Sequence, residues 1–119
     1  MLRGRPALAL FALVLFSTFA AAQTRVPIRL TDERWRHILA GHPEMAGERE
    51  RVIQTVSSPD LIQAGDFGEF LATRWWSTTA MGSKFLVVAY RETDHLDGFV
   101  LTAYLTRRPS RSRTVLWKR

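Results

Sequence analysis

Apolar positions recur with two different periods along this chain. From Val26 the period is two: Val26, Ile28 and Leu30 alternate with Pro27 and Arg29. That pattern predicts a short edge strand, because an edge tolerates proline. Thr31 then suits a helix N-cap, with Asp32 and Glu33 placed to oppose the helix dipole. Trp35, Ile38 and Leu39 form the stripe of a helix ending near Gly41. Pro43 fits the first position of a second helix. Its buried stripe is Met45, Val52, Ile53 and Val56, Glu48 to Arg51 face water, and Ser57-Ser58-Pro59-Asp60 ends it. Beyond Asp60 the period returns to two. Strands are predicted over 60–64, 68–76, 84–91 and 99–106, with a loop at 77–83 and a polar turn at 93–98.

The order of these elements sets a fold expectation. Short connections between consecutive strands predict an antiparallel meander. The expected fold is α+β: two N-terminal helices packed on a four-stranded antiparallel sheet, with a short edge strand before the helices. In the last strand Phe99, Leu101, Ala103 and Leu105 form the expected core face. Val100, Thr102, Tyr104 and Thr106 form the half-polar face of a binding surface. In the strand before it both faces are apolar, and periodicity does not choose between them.

The two ends change the picture. Arg3 and Arg5 precede an apolar run from Ala7 to Ala22 that closes on three alanines. This is the pattern of a secretory signal peptide over residues 1–22, and the run is short for a membrane span. An uncleaved anchor, or a true start near Val26, would produce the same pattern. The domain is expected over 23–106, exported if the signal is real and cytoplasmic otherwise. The chain carries 17 basic and 11 acidic residues. Two of the basic residues precede Gln23 and six follow Thr106, leaving nine against all eleven acids between them. Residues 107–119 thus read as a basic C-terminal tail, favouring polyanions such as RNA or an anionic membrane. With no cysteine there is no disulfide framework.

The candidate chemistry is that of RNA cleavage without a metal. Such a reaction removes a proton from the ribose 2′-OH, stabilises charge on the phosphate and protonates the leaving oxygen. Imidazole suits the proton steps, since its unperturbed pKa is ~6.5. Guanidinium suits the phosphate through its planar fork. His42 and His37 are the candidates for the first role, and Arg74 and Arg91 for the second. Helical projection puts His42 on the stripe facing the sheet and His37 on another side. The alternative for His42 is a helix-junction cap, and for the arginines salt bridges with Glu69 and Glu92. Thr102 and Tyr104 share a strand face and complete the catalytic set. Of the adjacent Trp75 and Trp76, one belongs to the core; Trp76 is the candidate for stacking on a base, with Arg107 and Arg108 as further substrate contacts. His37, His42, Glu44 and His95 lack the spacing of a zinc helix, so no metal and no cofactor is expected.

These residues form a recognisable series: Trp35-x-His37-Ile38, His42-Pro43-Glu44, Ser58-Pro59-Asp60, Gly68-Glu69 before Arg74, Phe85-Leu86-Val87-Val88-x-Tyr90-Arg91, and Gly98-Phe99-Val100-x-Thr102-Ala103-Tyr104-Leu105-Thr106. The series resembles small bacterial and phage proteins of the barnase–EndoU–colicin–RelE-like nuclease superfamily, over about Val26 to Thr106. The resemblance implies helices followed by an antiparallel sheet, with RNA cleavage on the sheet face. Its members usually start close to the first strand, without a signal-like segment. The expected function is a metal-independent endoribonuclease-like domain, as in a toxin or effector, with RNA and an inhibitor protein as partners. The alternatives are a catalytically inactive RNA- or protein-binding module of the same fold and an exported structural domain.

Overall fold

The computed structural model describes residues 16–21 and 24–119. Its elements in chain order are β1 (Phe16–Ala20), β2 (Pro27–Thr31), α1 (Asp32–Gly41), a 3-10 turn (Pro43–Met45) and α2 (Arg49–Ser57). They continue with β3 (Leu61–Ala64), β4 (Phe70–Thr79), β5 (Gly82–Asp94), β6 (Asp97–Thr106) and β7 (Val115–Lys118). The strands form one seven-stranded mixed sheet in the order β1-β2-β6-β5-β4-β3-β7. All neighbours are antiparallel except β2 and β6, which run parallel.

This arrangement corrects the expected four-stranded antiparallel sheet. The strand at Pro27–Thr31 is not an edge: β1 pairs with one side of it and β6 with the other. Pro27 is accommodated because it is the first residue of the strand, where its missing N–H matters least. The parallel pairing brings together residues about seventy positions apart, which no local periodicity encodes. It is short, joining Ile28 to Gly98 and Arg29 to Phe99. A bidentate pair holds it, Arg29 Nε to Asp97 Oδ1 at 2.9 Å and Nη2 to Oδ2 at 3.0 Å. That contact keeps the Asp97 carboxyl below the ordinary carboxylate range, through hydrogen bonding first.

Most of the sequence called a signal lies outside the described residues. Within it, Phe16–Ala20 is strand β1, antiparallel to β2, and Ala21 is buried in the core. Among the described residues no helix is long and apolar enough to cross a membrane. At the other end, the stretch read as a tail closes on β7, which pairs antiparallel with β3.

Thr31 caps α1 through its hydroxyl, which accepts from the Arg34 N–H at 3.0 Å. The second helix starts later than Pro43 suggests. Pro43–Met45 forms a 3-10 turn, and Gly47 at φ +82° breaks the path before α2 begins at Arg49. Glu48 is consequently buried, 3.4 Å from the Arg51 guanidinium, rather than facing water. Ile38, Met45, Val52 and Val56 pack with Ile28, Leu30, Leu86, Val88, Tyr90, Val100 and Ala103 into the core beneath one sheet face. Leu71, Val87 and Ala89, with Leu101 and Tyr104, form a smaller apolar patch on the other face.

The faces of β6 differ from strict alternation because of a bulge. Ala89 pairs with Thr102 and Tyr90 with Val100, so Leu101 is the extra residue. Alternation before the bulge is shifted by one. Val100 therefore joins Ala103 and Leu105 on the helix side, while Leu101 packs with the outer patch.

Two predictions follow from this packing. A Cβ at Gly98 would lie 2.6 Å from the Arg91 carbonyl oxygen and 2.6 Å from Ile28 Cδ1. Gly98→Ala should destabilise the fold by ~1–3 kcal/mol, as overpacking does; urea melts showing no loss would disprove the tight junction. Burial, with Glu92 adding, pushes the Tyr90 phenol far above the ordinary tyrosine range. The neutral phenol is thus favoured in the fold. Its contribution is intact below the unfolded value of ~10 and is lost as pH rises beyond it, where the unfolded chain alone releases the proton. Tyr90→Phe should flatten the alkaline fall in melting temperature, and parallel curves for the two proteins would refute the assignment.

Candidate functional site

The residue before a proline is steered away from helical backbone. His42 obeys: its φ and ψ are −136° and 73°, and it ends α1 instead of continuing it. Its N–H still closes the last turn onto the Ile38 carbonyl at 2.7 Å. Its own carbonyl accepts from the Met45 N–H at 3.0 Å, and Met45 is fully buried. The His42 backbone is therefore fixed on both sides, and its ring direction is not the one a continuing helix would give. The imidazole comes to lie 5.9 Å from the Tyr104 ring, centroid to centroid. Its Nδ1 is 3.3 Å from Glu44 Oε2.

The pairing of β2 with β6 stops at Phe99. Beyond it α1 and the 3-10 turn pack alongside β6. Between them runs an open groove of about 550 Å³, lined by Arg34, His37, Ile38, His42, Leu101 and Thr102 among others. His37 and His42 thus share one groove. Projection along an ideal helix separates them, but His42 has already left the helix.

The other sequence candidates divide. Thr102 lines the groove, and Tyr104 borders it through His42 while also lining a second cavity on the outer sheet face. Arg74 lies elsewhere. It shares a strand face with Trp76 against the helices, with its guanidinium carbon 4.5 Å from the Trp76 ring centroid and Nη1 3.3 Å from the Ser58 carbonyl. Arg51 lies 4.7 Å from the same ring. Trp76 itself packs against the core and donates from Nε1 to Thr55 Oγ1 at 3.2 Å, so it offers no free face to a base. The exposed tryptophan is Trp75, edge-on to Phe85 at 5.0 Å. Arg91 is on the outer face, where Nη1 donates to the Phe67 carbonyl at 3.0 Å. It also helps to hold the Glu69 carboxyl below its ordinary range, after the backbone N–H donors of Glu69 and Phe67. Arg107 is exposed just past β6, and Arg108 lines the outer cavity. Among the described residues no three acids or histidines gather as a metal site would require.

Sequence reasoning did not single out Arg34, Glu44 as a partner of His42, or the outer cavity. Glu44 was within reach, because the turn forced by Pro43 brings residues 42 and 44 together. Arg34 was hidden by its ordinary place in the first turn of a helix.

The placement of Arg74 has a testable consequence. Arg74→Ala removes a stacking contact of a kind worth ~0.5–1 kcal/mol at exposed sites. It should lower the melting temperature slightly and leave affinity for RNA unchanged; a large loss of RNA binding at unchanged stability would return Arg74 to the site. Comparison of the chain with family models, with curated proteins and with solved structures finds no match.

Proposed function

We propose that the domain is a metal-independent endoribonuclease-like module whose chemistry is centred on His42. The observation that carries this reading is the setting of the His42 ring, with Nδ1 turned to Glu44, one face toward Tyr104 and an open groove beside it. A carboxylate at Nδ1 favours the tautomer with the proton there, which leaves the Nε2 lone pair for a substrate hydroxyl. In the neutral form His42 would take the ribose 2′-OH proton. Arg34 in the same groove would meet the phosphate with its guanidinium fork. Thr102 and Tyr104 would orient the phosphate through their hydroxyls, and His37 stands at the groove wall to return a proton to the leaving oxygen. If residues 1–22 are a cleaved signal, β1 and Ala21 leave with it, the module works outside the cytoplasm, and a cognate inhibitor would protect the cell that makes it.

A second reading has its own support. Arg74 is stacked on Trp76 and Arg91 is held by a backbone carbonyl, so two of the cations expected at the phosphate are otherwise engaged. With Arg34 as the remaining guanidinium of the groove, a module that binds RNA without cutting it is the alternative.

One experiment separates the two: incubation with structured and single-stranded RNA in excess chelator. Cleavage is expected. His42→Ala should lower its rate by ~10²–10⁴, the usual cost of losing an acid–base group, with RNA affinity nearly preserved. The melting temperature of the variant must be measured alongside, because the His42 backbone closes α1. Absence of cutting by the parent protein, with binding retained, would establish the binding-only module.

A further inference from the structure

The outer sheet face is not open along its length. After β6 the chain turns back across it, and residues 108–113 roof a cavity of about 340 Å³. The crossing arm is tied down at several points. Gln63 on β3 donates from Nε2 to the Ser110 carbonyl at 2.8 Å. Arg113 reaches the Asp66 carboxylate at 2.9 and 3.4 Å, which raises its already high pKa, and β7 then seals the end against β3.

The floor of this cavity holds an unusual group. Thr73 on β4 is 1% exposed, and its Oγ1 has no hydrogen-bond partner among the described residues. Burying a hydroxyl without a partner costs about 1–3 kcal/mol, and a ligand oxygen that accepts from it would offset that cost. Thr73 lines the cavity, as do the Tyr104 side chain from β6 and Arg108 from the arm. Among the described residues the Arg108 guanidinium has no carboxylate partner, and no acid lines the cavity. The remaining wall is apolar, with Leu71, Val87 and Pro109. The volume lies in the range of small-molecule sites, ~300–1,000 Å³.

We propose that this cavity is a binding site for a small phosphate monoester with an apolar or aromatic body. The donors come from separate elements: Thr73 and Tyr104 from the floor strands, Arg108 from the roof. A tetrahedral oxyanion presents acceptors in several directions and meets such a set, whereas a carboxylate presents its acceptors in one plane. The apolar wall takes the body of the ligand. The roof excludes a polymer, because a strand of RNA crossing this face would have to displace an arm held by the Gln63 and Arg113 contacts. The site is carried by the outer-face cavity and shares only Tyr104 with the groove beside His42.

The test is calorimetric titration of the full-length protein with phenyl phosphate, inorganic phosphate and benzoate, paired with melting temperatures. Phenyl phosphate is expected to bind saturably and to raise the melting temperature. Inorganic phosphate and benzoate should each be at least tenfold weaker. Thr73→Val should weaken phenyl phosphate at least tenfold while raising the melting temperature of the free protein, because it removes a partnerless hydroxyl without changing shape. Thr73→Ser keeps the hydroxyl and should restore binding, which covers the case of a valine variant that folds poorly. Arg108→Ala should abolish binding, and Arg107→Ala should not. The proposal is overturned if no ligand binds saturably, if benzoate binds as well as phenyl phosphate, or if Thr73→Val and Arg108→Ala bind like the parent.

Discussion

Everything in this fold turns on a contact two residues long. Ile28 and Arg29 of β2 lie beside Gly98 and Phe99 of β6, and they fit only because Gly98 has no side chain. The Arg29–Asp97 pair locks the register next to it. From this point the chain enters α1 at Thr31, and the helix can do nothing but follow the flank of β6 that β2 has left unpaired. His37 and His42 travel with it. A longer β2 would cover that flank with strand, and no groove would exist between helix and sheet. The economy of the junction thus sets both the mixed topology and the address of the imidazoles.

What the sequence disclosed follows the range of the interactions involved. The Thr31 cap is visible because it joins residues three apart, and its hydrogen bond is present as the motif suggests. The strands from β3 to β6 are visible because each carries its own alternation. The pairing of β2 with β6, and the addition of β1 and β7, depend on partners remote in the chain. Pro27 invites an edge assignment and tolerates a different one. The bulge at Leu101 leaves no mark in the pattern of residue types, yet it moves Val100 and Leu101 to opposite faces from those alternation assigns. The histidine groove failed to emerge for a related reason: a projection at 100° per residue assumes a helix, and Pro43 ends that helix one residue before the side chain of interest.

The two tryptophans show how charge and packing combine. Trp76 looks like a stacking platform in the sequence, and it is one, but for Arg51 and Arg74 of its own chain. Its indole N–H is also spoken for by Thr55. The ring serves as the meeting point of α2 with β4, so the arginines expected at a phosphate are partly recruited into architecture. That diversion leaves Arg34 as the guanidinium among the groove's lining residues, and Arg108 and Arg113 of the C-terminal segment border the cavity on the outer face.

The roof over the outer cavity is made after the strands that it covers. Domains form from the N-terminus onward as translation proceeds, and β3 to β6 contain most of the contacts of the sheet. The outer face is therefore bare until residues 108–118 emerge, with Thr73 and the patch of Leu71, Val87 and Ala89 open to solvent. Only then can the arm cross and β7 zip onto β3. A small anion present in the cell at that moment would meet the face before its cover does. Ligand capture and completion of the fold would then be one event, and the bound molecule would leave only as fast as the arm lets go.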